Sequence, residues 1–483
     1  MSLANKTTAG IVWNFVEQLA RRGITVAVTL LLAYFLTPED FGLVAMMAVF
    51  LALGASLMDS GFRQALIRLK DATQIDFNTG FYANITLGLL AYALLFLSAP
   101  WIASFYQEPK LVDLVRVASL AIIINAFQVI QVTILSRDLN FKAQLKANLP
   151  AAVISGVLAV ALAYLDWGVW ALVTQMLVSA LLVTLLLWMQ NIWRPSLSFS
   201  FSSLKKMYNF GYKLFLSGVL DTVFRNMYVI VIAKFFSASI AGLYFFAEKI
   251  KELVISQLVS SIQTVTYPAL ATLQDDNIRL KAGYRKVLAM TTFLLFPVML
   301  FLAALSQPLF EFLLPEKWLP AVIYLQLMTI AGVLYPLHSI NLNILQVKGR
   351  SDLFLYLEVL KKIMVVLVFW VSFKFGIIGI LIGQMVTSIL AYIPNSYFSY
   401  HLIGYSIKEQ LADFVPALLL STTIAGLIFI LQDLLEWWPL AELVVFGVLA
   451  GILYLMGAHF LKLSAYELTK ELLMKKLKNK GQQ

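Results

Sequence analysis

Charged side chains lie inside several strongly apolar stretches of this sequence. A charged group within a bilayer costs roughly 2.5–3.5 kcal/mol on insertion scales, so it normally faces a partner or a water-filled cavity. In the first such stretch Glu17 and Arg21 lie four residues apart, and in a later stretch Asp221 and Arg225 repeat that spacing. Side chains four residues apart meet on one face of a helix. The pattern predicts two helices that each carry an acid–arginine pair within the membrane.

Nine ionisable side chains form the candidate site. Guanidinium and ammonium groups are suited to hold an anionic substrate, and acids beside them balance charge or take a coupling proton or sodium ion. At a rise of 1.5 Å per residue, Arg21 lies roughly 18 Å from the predicted inner end of its span, near the bilayer midplane. The candidate cations are Arg21, Arg22, Arg225, Lys249 and Lys251, and the candidate acids are Glu17, Asp59, Asp221 and Glu252.

The sequence leaves two interpretations of these charges open. In the first, Glu17 with Arg21 and Asp221 with Arg225 are self-neutralising pairs that fix the packing of two halves of the protein. In the second, the charges line a water-filled cavity between those halves and bind substrate. The second interpretation predicts a transport function.

The composition is that of a membrane protein. Of the 483 residues, 61% are hydrophobic and 13% are charged, whereas soluble domains average about 45–50% and 25%. Cysteine is absent and the three histidines lie far apart in sequence, which excludes disulfides, thiolate metal sites and a histidine-rich centre. The sequence also lacks a P-loop, a glycine-rich dinucleotide fingerprint and an HExxH motif. We predict no catalytic residue, no metal and no cofactor, and we do not expect an enzyme.

Hydropathy along the chain predicts an all-α, multi-pass fold with about fourteen membrane-spanning helices. Each span needs roughly 20 apolar residues, so the segments left between spans are too short for a sizeable domain outside the membrane. The predicted spans are residues 9–36, 41–62, 79–105, 112–136, 148–165, 168–190, 209–234, 240–268, 286–306, 320–346, 353–374, 377–399, 411–432 and 438–460.

Lysine and arginine are concentrated in alternate loops. Cytoplasmic loops retain positive charge, so we attribute the net charge of +10 to membrane topology and expect no nucleic-acid partner. With the N-terminus inside, the outer loops hold only Lys110, Lys234, Lys317 and Lys374. The distribution predicts that the N- and C-termini are both cytoplasmic.

Three pairs of short matching segments are separated by roughly 200 to 210 residues. They are residues 33–36 with Gly42 and residues 233–236 with Gly242, residues 175–179 and 384–388, and residues 134–135 and 344–345. A repeat of six spans is even, so both halves enter the membrane in the same direction and are related by an axis along the membrane normal. We predict two parallel six-helix lobes related by this pseudo-two-fold axis, with two extra C-terminal helices.

The predicted domains follow from the repeat. They are an N-lobe at 1–190, a cytoplasmic interfacial linker at 191–208, a C-lobe at 209–400, the two extra helices within 401–460, and a basic amphipathic cytoplasmic tail at 461–483.

Two segments near the first predicted turn resemble a known family. Residues 35–43 have the sequence FLTPEDFGL and residues 58–68 have the sequence MDSGFRQALIR. Both are similar to the polysaccharide-transporter family of repeat-unit flippases, of the Wzx, colanic-acid-exporter and teichuronic-acid type. That family lies within the multidrug/oligosaccharidyl-lipid/polysaccharide (MOP) superfamily. The chain length, the predicted spans and the two halves are compatible with it.

The resemblance implies a V-shaped pair of lobes that alternate between inward-open and outward-open states in the bacterial cytoplasmic membrane. It implies translocation of an oligosaccharide repeat unit linked to a polyprenyl pyrophosphate of the undecaprenyl type, for capsule, lipopolysaccharide O-antigen, exopolysaccharide or teichuronic acid. It further implies contact with membrane lipids, proton or sodium coupling, and a polysaccharide polymerase machinery as partner. A cationic central cavity would hold the pyrophosphate and sugar, and the five candidate cations suit that role because guanidinium pairs bidentately with phosphate.

Two other functions stay open at this stage. A cation-coupled multidrug exporter of the same superfamily would need an acidic or aromatic cavity, whereas arginines accompany the acids on the predicted faces. A membrane-embedded glycosyltransferase or acyltransferase would need catalytic acids or histidines on a sizeable loop, and the predicted loops are short and poor in both.

Overall fold

The computed structural model describes residues 3–190, 193–435 and 437–471, and within these ranges it leaves out the side chains of residues 3–12, 14–16, 256–265, 267–269 and 351. The described residues form helices joined by short connections, with no β-strand in these ranges. Residues 191 and 192 of the predicted linker and residues 472–483 of the predicted tail lie outside the described residues.

The chain forms two compact units, residues 1–245 and 246–483. Helix α12 crosses the boundary between them, so its first turns belong to the first unit. The helices that begin in the first unit are α1 (Leu3–Phe35), α2 (Pro38–Asp59), α3 (Phe62–Arg68), α4 (Gln74–Tyr106), α5 (Leu111–Ala118), α6 (Leu120–Ala126), α7 (Val129–Arg137), α8 (Phe141–Tyr164), α9 (Val169–Gln190), α10 (Phe201–Arg225), α11 (Met227–Phe235) and α12 (Ala238–Ala271).

The second unit continues with α13 (Asn277–Ala304), α14 (Ser306–Leu313), α15 (Val322–Gly332), α16 (Tyr335–Val347), α17 (Ser351–Ser372), α18 (Gly376–Ile403), α19 (Ile407–Leu434) and α20 (Pro439–Phe460). Short 3₁₀ turns at Glu316–Ala321 and Phe373–Phe375 lead into α15 and α18. The predicted domain boundaries differ from this division into units and stay a prediction.

All fourteen predicted spans fall on helices, which confirms the all-α, multi-pass class. Among the described residues, nine helices are long and apolar enough to cross a membrane, or eleven when two bent pairs each count as one span. Residues 352–403, predicted as two spans, count once in this set as a single 52-residue stretch. The number fourteen therefore stays a prediction.

The first sequence match corresponds to matching helix ends. Helix α1 ends at Phe35 and α11 ends at Phe235, while α2 begins at Pro38 and α12 begins at Ala238. At the start of α2, the Thr37 backbone N–H donates to Asp40 Oδ2 at 2.9 Å, and the Thr37 hydroxyl accepts from the Asp40 backbone N–H. This capping box satisfies N–H groups that the first helical turn leaves unpaired. It explains Asp40, the second of the two acids after Pro38 in the family-like segment.

Helix packing in the first unit joins α1 to α8, α8 to α9, and α2 to α4, with α10 against α2, α3 and α4. The linker from Trp193 to Ser200 runs along the start of α4. There the Asn78 amide donates to the hydroxyls of Ser196 and Ser198, each at 2.6 Å, and the Ser200 backbone N–H donates to the Thr79 hydroxyl at 3.0 Å. Helix α10 begins directly after, so the predicted linker 191–208 includes the first two turns of α10.

Two ion pairs join α13 to α19 in the second unit. Lys281 Nζ lies 2.8 Å from Glu409 Oε1, and Arg285 Nη2 lies 2.6 Å from Asp413 Oδ1. Arg285 Nε also donates to the other Asp413 oxygen at 2.7 Å, which makes this pair bidentate. Both helices present their charges four residues apart, so the two pairs form adjacent rungs between them.

A buried hydrogen-bond network fills the core beside these pairs. The Tyr284 and Ser399 hydroxyls both donate to Asn341 Oδ1, at 2.6 and 2.7 Å, and the Tyr392 hydroxyl donates to Gln410 Oε1 at 2.9 Å. These side chains lie among apolar residues of α13, α16, α18 and α19. The network satisfies polar groups that would be costly to bury alone.

Candidate functional site: a polar cavity in the first unit

A cavity of about 1000 Å³ lies inside the first unit, between α1, α2, α3, α6, α7, α8 and α9. Polar side chains form about half of its lining, although the surrounding helices are strongly apolar. Ligand cavities are commonly of this size and place a few polar groups in an apolar wall. The polar lining residues are Glu17, Gln18, Arg21, Thr25, Ser56, Asp59, Arg63, Asn125, Gln128, Gln144, Asn148, Ser155, Gln175 and Ser179.

The predicted pair on α1 is formed at the cavity wall. Arg21 Nε lies 3.1 Å from Glu17 Oε1, and the Asn148 amide on α8 donates to the same oxygen at 2.9 Å. Glu17 is buried, whereas 53% of the Arg21 side chain is exposed. Because guanidinium carries five N–H donors, Arg21 is able to hold an anion in the cavity while its Nε stays paired with Glu17.

A second acid and a second arginine reach the cavity at a break between helices. Helix α2 ends at Asp59, Ser60 and Gly61 adopt left-handed backbone conformations (φ 41° and 74°), and α3 begins at Phe62. Both Asp59 and Arg63 line the cavity. Asp59 Oδ1 is buried without a hydrogen-bond partner. This break places a carboxylate and a cation on the wall without a continuous helix between them.

The sequence analysis assigned Asp59 to the site but left Arg63 in a cytoplasmic loop after the second span. The signal for Arg63 was present, because it follows Asp59 by four residues, the same spacing as in the two predicted pairs. It was missed because the second predicted span ended at residue 62. Arg63 was therefore treated as one of the positive charges of a cytoplasmic loop, which indicate orientation in the membrane.

Amide side chains are the other group that the sequence analysis missed. Six line the cavity, on α1, α6, α8, α9 and the α6–α7 junction: Gln18, Asn125, Gln128, Gln144, Asn148 and Gln175. The Gln128 amide donates to Asn125 Oδ1, while Gln128 Oε1 is buried without a partner. Five of them, all but Gln144, lie within predicted spans, which was a usable signal, since amides are costly in lipid unless they face partners or a cavity.

The cavity brings together Glu17, Arg21 and Asp59 from the predicted site, and the other predicted residues are outside its lining. Asp221 and Arg225 do form the predicted ion pair on α10, at 2.8 Å, with both side chains more than 60% exposed. In the second unit Lys249 lies 3.8 Å from Glu252, and Lys251 lies 3.5 Å from Glu248. Substrate roles for Arg22, Arg225, Lys249 and Lys251, and ion-coupling roles for Asp221 and Glu252, stay predictions.

The fold is that of a known class of membrane transporter. The chain superposes on the lipid II flippase MurJ in an inward closed conformation with a TM-score of 0.74 and 16% sequence identity, covering 93% of this chain and 99% of that one. At this identity the likeness shows the fold alone. It confirms the expected MOP fold.

Sequence relatives then define the family. The chain is 28% identical to the teichuronic acid biosynthesis protein TuaB of Bacillus subtilis over 429 residues, which is 87% of each chain. It is 26% identical to the lipopolysaccharide biosynthesis protein WzxC of Escherichia coli over 400 residues, which is 81% of each chain. Residues 31–323 match the family described as polysaccharide biosynthesis protein. The chain belongs to that family, which confirms the resemblance.

Proposed function

We propose that the protein is a flippase that moves a polyprenyl-pyrophosphate-linked oligosaccharide repeat unit across the bacterial cytoplasmic membrane by alternating access. The observation that carries the proposal is a large polar cavity, with two arginines on its wall, inside an apolar helical chain of a polysaccharide biosynthesis family. Transport by a MOP-type fold needs no catalytic residue, so we assign no enzymatic activity. The capsule, O-antigen, exopolysaccharide and teichuronic-acid types are all within the proposal.

Arg21 and Arg63 are the proposed pyrophosphate ligands in this unit. A pyrophosphate is at least doubly charged, and guanidinium groups bind phosphate oxygens bidentately. Glu17 and Asp59 lie on the same wall and offset the two positive charges. We propose that Asp59, whose Oδ1 has no hydrogen-bond partner, takes the coupling proton or sodium ion. Glu17 is already held by Arg21 and Asn148.

The proposed orientation follows the distribution of positive charge. Both termini are placed in the cytoplasm, because Lys and Arg are concentrated in the loops on that side. The named relatives are bacterial proteins, which supports the cytoplasmic membrane of a bacterium as location. A polysaccharide polymerase on the outer side is the proposed receiver of the flipped repeat unit.

The multidrug-exporter alternative fits the cavity less well. A cationic drug would meet Arg21 and Arg63 beside the acids, and both named relatives are polysaccharide biosynthesis proteins. The two functions differ in the molecule that accumulates when the protein is lost.

The deciding experiment depletes the protein and identifies extracted membrane lipids by mass spectrometry. We expect a polyprenyl-pyrophosphate oligosaccharide to accumulate and to disappear on re-expression of the natural chain. Arg21→Ala should fail to clear it, whereas Arg116→Ala should clear it, because Arg116 stacks on the Phe96 ring at 4.5 Å outside the cavity lining. An unchanged lipid pool together with drug sensitivity on depletion would replace the proposal with the exporter alternative.

A further inference from the structure

The cavity holds two kinds of polar group that recognise different parts of a glycolipid. Arg21 and Arg63 carry only N–H donors, which match the phosphate oxygens. Two other lining residues, Gln128 and Asp59, each keep a buried acceptor, Oε1 and Oδ1, without a hydrogen-bond partner. A pyrophosphate offers acceptors only, so it cannot satisfy them. A ligand that carries donors as well satisfies them.

Sugar hydroxyls are such donors. Each hydroxyl donates one hydrogen bond and accepts others. An amide side chain also has both a donor and an acceptor, so the two groups can pair in either direction. An unsatisfied buried acceptor is unfavourable, and its free energy is recovered when a ligand hydroxyl reaches it after a side-chain rotation. The structure thus favours a hydroxyl-rich ligand over an apolar or purely anionic one.

Three of the six cavity amides lie on α6, on the α6–α7 junction and on α9. Asn125 and Gln128 lie at the junction of α6 and α7 and are hydrogen-bonded to each other. Gln175 lies on α9, which packs against α6. Glu17, Arg21 and Asn148 belong to the packed pair α1 and α8. The amide set and the α1 arginine therefore come from different helix pairs.

We propose that Asn125, Gln128 and Gln175 form a sugar-recognition wall that selects the glycan by its hydroxyl pattern, while Arg21 and Arg63 bind the pyrophosphate common to all such lipids. This proposal rests on the proposed flippase function. A buried hydrogen-bonding group discriminates strongly against ligands that lack its partner. The amides then set which repeat unit is exported, and the arginines set only how well any repeat unit is exported.

The test compares two lipid-linked oligosaccharides in the same cells: the complete repeat unit of the host and a shorter one made after deletion of the last glycosyltransferase. Flipping of each is measured as clearance of its lipid-linked form by mass spectrometry. For Gln128→Leu and Gln175→Leu we expect the preference for the complete unit to fall about tenfold, which corresponds to about 1.4 kcal/mol. For Arg21→Ala we expect clearance of both units to fall together.

Gln131→Leu is the matched control. It removes a buried amide three residues from Gln128, on α7 and outside the cavity lining. Its effect therefore measures the loss of a buried amide while the sugar-recognition wall stays intact. An unchanged preference in both Gln128→Leu and Gln175→Leu would overturn the proposal, as would a natural chain that clears both units equally. If Gln128→Leu does not reach the membrane, Gln175→Leu on a separate helix decides. Failure of the natural chain to clear either unit would instead refute the flippase function.

A second observation concerns glycines at both ends of α2. A Cβ added at Gly42 would lie 1.8 Å from the Ala238 carbonyl oxygen, and one added at Gly242 would lie 1.7 Å from the Pro38 carbonyl oxygen. At the other end, a Cβ on Gly211 would lie 2.3 Å from the Ser60 carbonyl oxygen. Only glycine allows backbones to approach this closely.

Both glycine contacts join α2 to helices that follow the linker, α12 and α10. Gly42 and Gly242 are also the glycines of the sequence repeat, and they meet each other where α2 and α12 begin. The contact of Gly61 with Gly211 joins the end of α2 to α10. With the N-terminus inside, the first contact lies at the outer end of α2 and the second at its inner end.

We infer that the first contact closes the cavity on the outer side during the transport cycle and that the second closes it on the inner side. Each contact must separate when the cavity opens to its side. This inference also rests on alternating access by the proposed flippase. A methyl group at either contact would favour the state in which that contact is open, because the closed backbone distance no longer fits.

The absence of cysteine from the chain gives a direct test. A single cysteine at Ser179 on the cavity wall is labelled in intact cells with a membrane-impermeant maleimide. We expect Gly42→Ala to raise external labelling and Gly211→Ala to lower it, each by about threefold for a modest population shift. Gly218→Ala is the matched control, since this glycine of α10 has no atom within 4 Å of its added Cβ.

Labelling equal to the control in both variants would overturn the inference, and so would a change in the same direction in both. If Gly42→Ala does not reach the membrane, Gly242→Ala tests the same contact. Because labelling needs no glycan substrate, this result is independent of which molecule the protein carries.

Discussion

One cluster of polar residues in the second unit and one in the first have opposite surroundings, although both lie in apolar helices. In the second unit, Tyr284, Ser399 and Asn341 satisfy one another within a packed core. In the first unit, Asp59 and Gln128 keep acceptor atoms without partners beside a cavity of about 1000 Å³. A buried polar group in a span therefore marks a site only when its neighbours leave it unsatisfied and leave space beside it.

Ion pairs also have different roles in the two units. Arg285 is bound by both oxygens of Asp413 and connects two helices. Arg21 uses Nε toward Glu17 on its own helix and keeps half of its side chain exposed. The bidentate pair fixes packing, while the single contact leaves donors for a ligand.

The largest expected effect is on transport by Arg21→Ala. Loss of a charge-assisted contact to phosphate costs about 1.5–3 kcal/mol, so clearance of the lipid-linked oligosaccharide should fall more than about tenfold with the protein still in the membrane. Quantitative mass spectrometry and immunoblotting measure the two quantities. Arg225→Ala in the exposed pair on α10 is run in parallel. A greater loss for Arg225→Ala than for Arg21→Ala would move the site away from the cavity.

The next effect is on stability in the second unit. Asn341→Leu leaves the Tyr284 and Ser399 hydroxyls without their acceptor, which should lower the free energy of unfolding by about 2–4 kcal/mol. Thermal unfolding in detergent, followed by intrinsic tryptophan fluorescence, measures this loss. Asn125→Leu in the cavity should cost much less. Equal losses at the two positions would contradict the distinction between a filled core and a cavity wall.

A smaller and opposite effect is expected for Asp59→Asn. Neutralising a buried carboxylate that has an unpartnered oxygen should raise the free energy of unfolding by about 1 kcal/mol while lowering transport. The same fluorescence and lipid measurements report both changes. If the substitution destabilises the protein as Asn341→Leu does, Asp59 has a packing role and its proposed coupling role is wrong.

The smallest effect is expected in the loop after α4, outside the predicted spans. Burial and then the nearby Glu39 raise the pKa of Glu108 above its ordinary value of 4.5, and Lys110 partly opposes this. The folded state thus binds this proton more tightly than the unfolded chain, so stability is highest at low pH and is lost as pH rises through the raised pKa. At pH 7, Glu108→Gln should add a few tenths of a kcal/mol after solvent screening. A stabilisation that persists below pH 4 would contradict this cause.

The sequence was sufficient for the helical class, for the helices on which the predicted spans fall and for the pairing of Glu17 with Arg21. These depend on hydropathy and on spacing along one helix, which are local properties. It was also sufficient for Asp59, because a lone acid in a span stands out against apolar neighbours.

Contacts between distant helices were beyond prediction. Asn148 holds Glu17 across 131 positions of sequence, and nothing in the spacing of either residue shows that they meet. Arg63 was assigned to a cytoplasmic loop and not to the site. The break at Ser60 and Gly61 that brings it to the cavity is a feature of the backbone, which the sequence pattern did not show. For the same reason, the amides of the cavity and the amides of the packed core look alike in sequence.

The two rungs between α13 and α19 have a consequence for how these helices find their alignment. Apolar helices in lipid slide past one another at little cost, because every register buries similar side chains. With Lys281 facing Glu409 and Arg285 facing Asp413, a shift by one turn would pair Arg285 with Glu409 and leave Lys281 and Asp413 without these partners. The charges thus give one register between α13 and α19 a lower energy than the neighbouring registers.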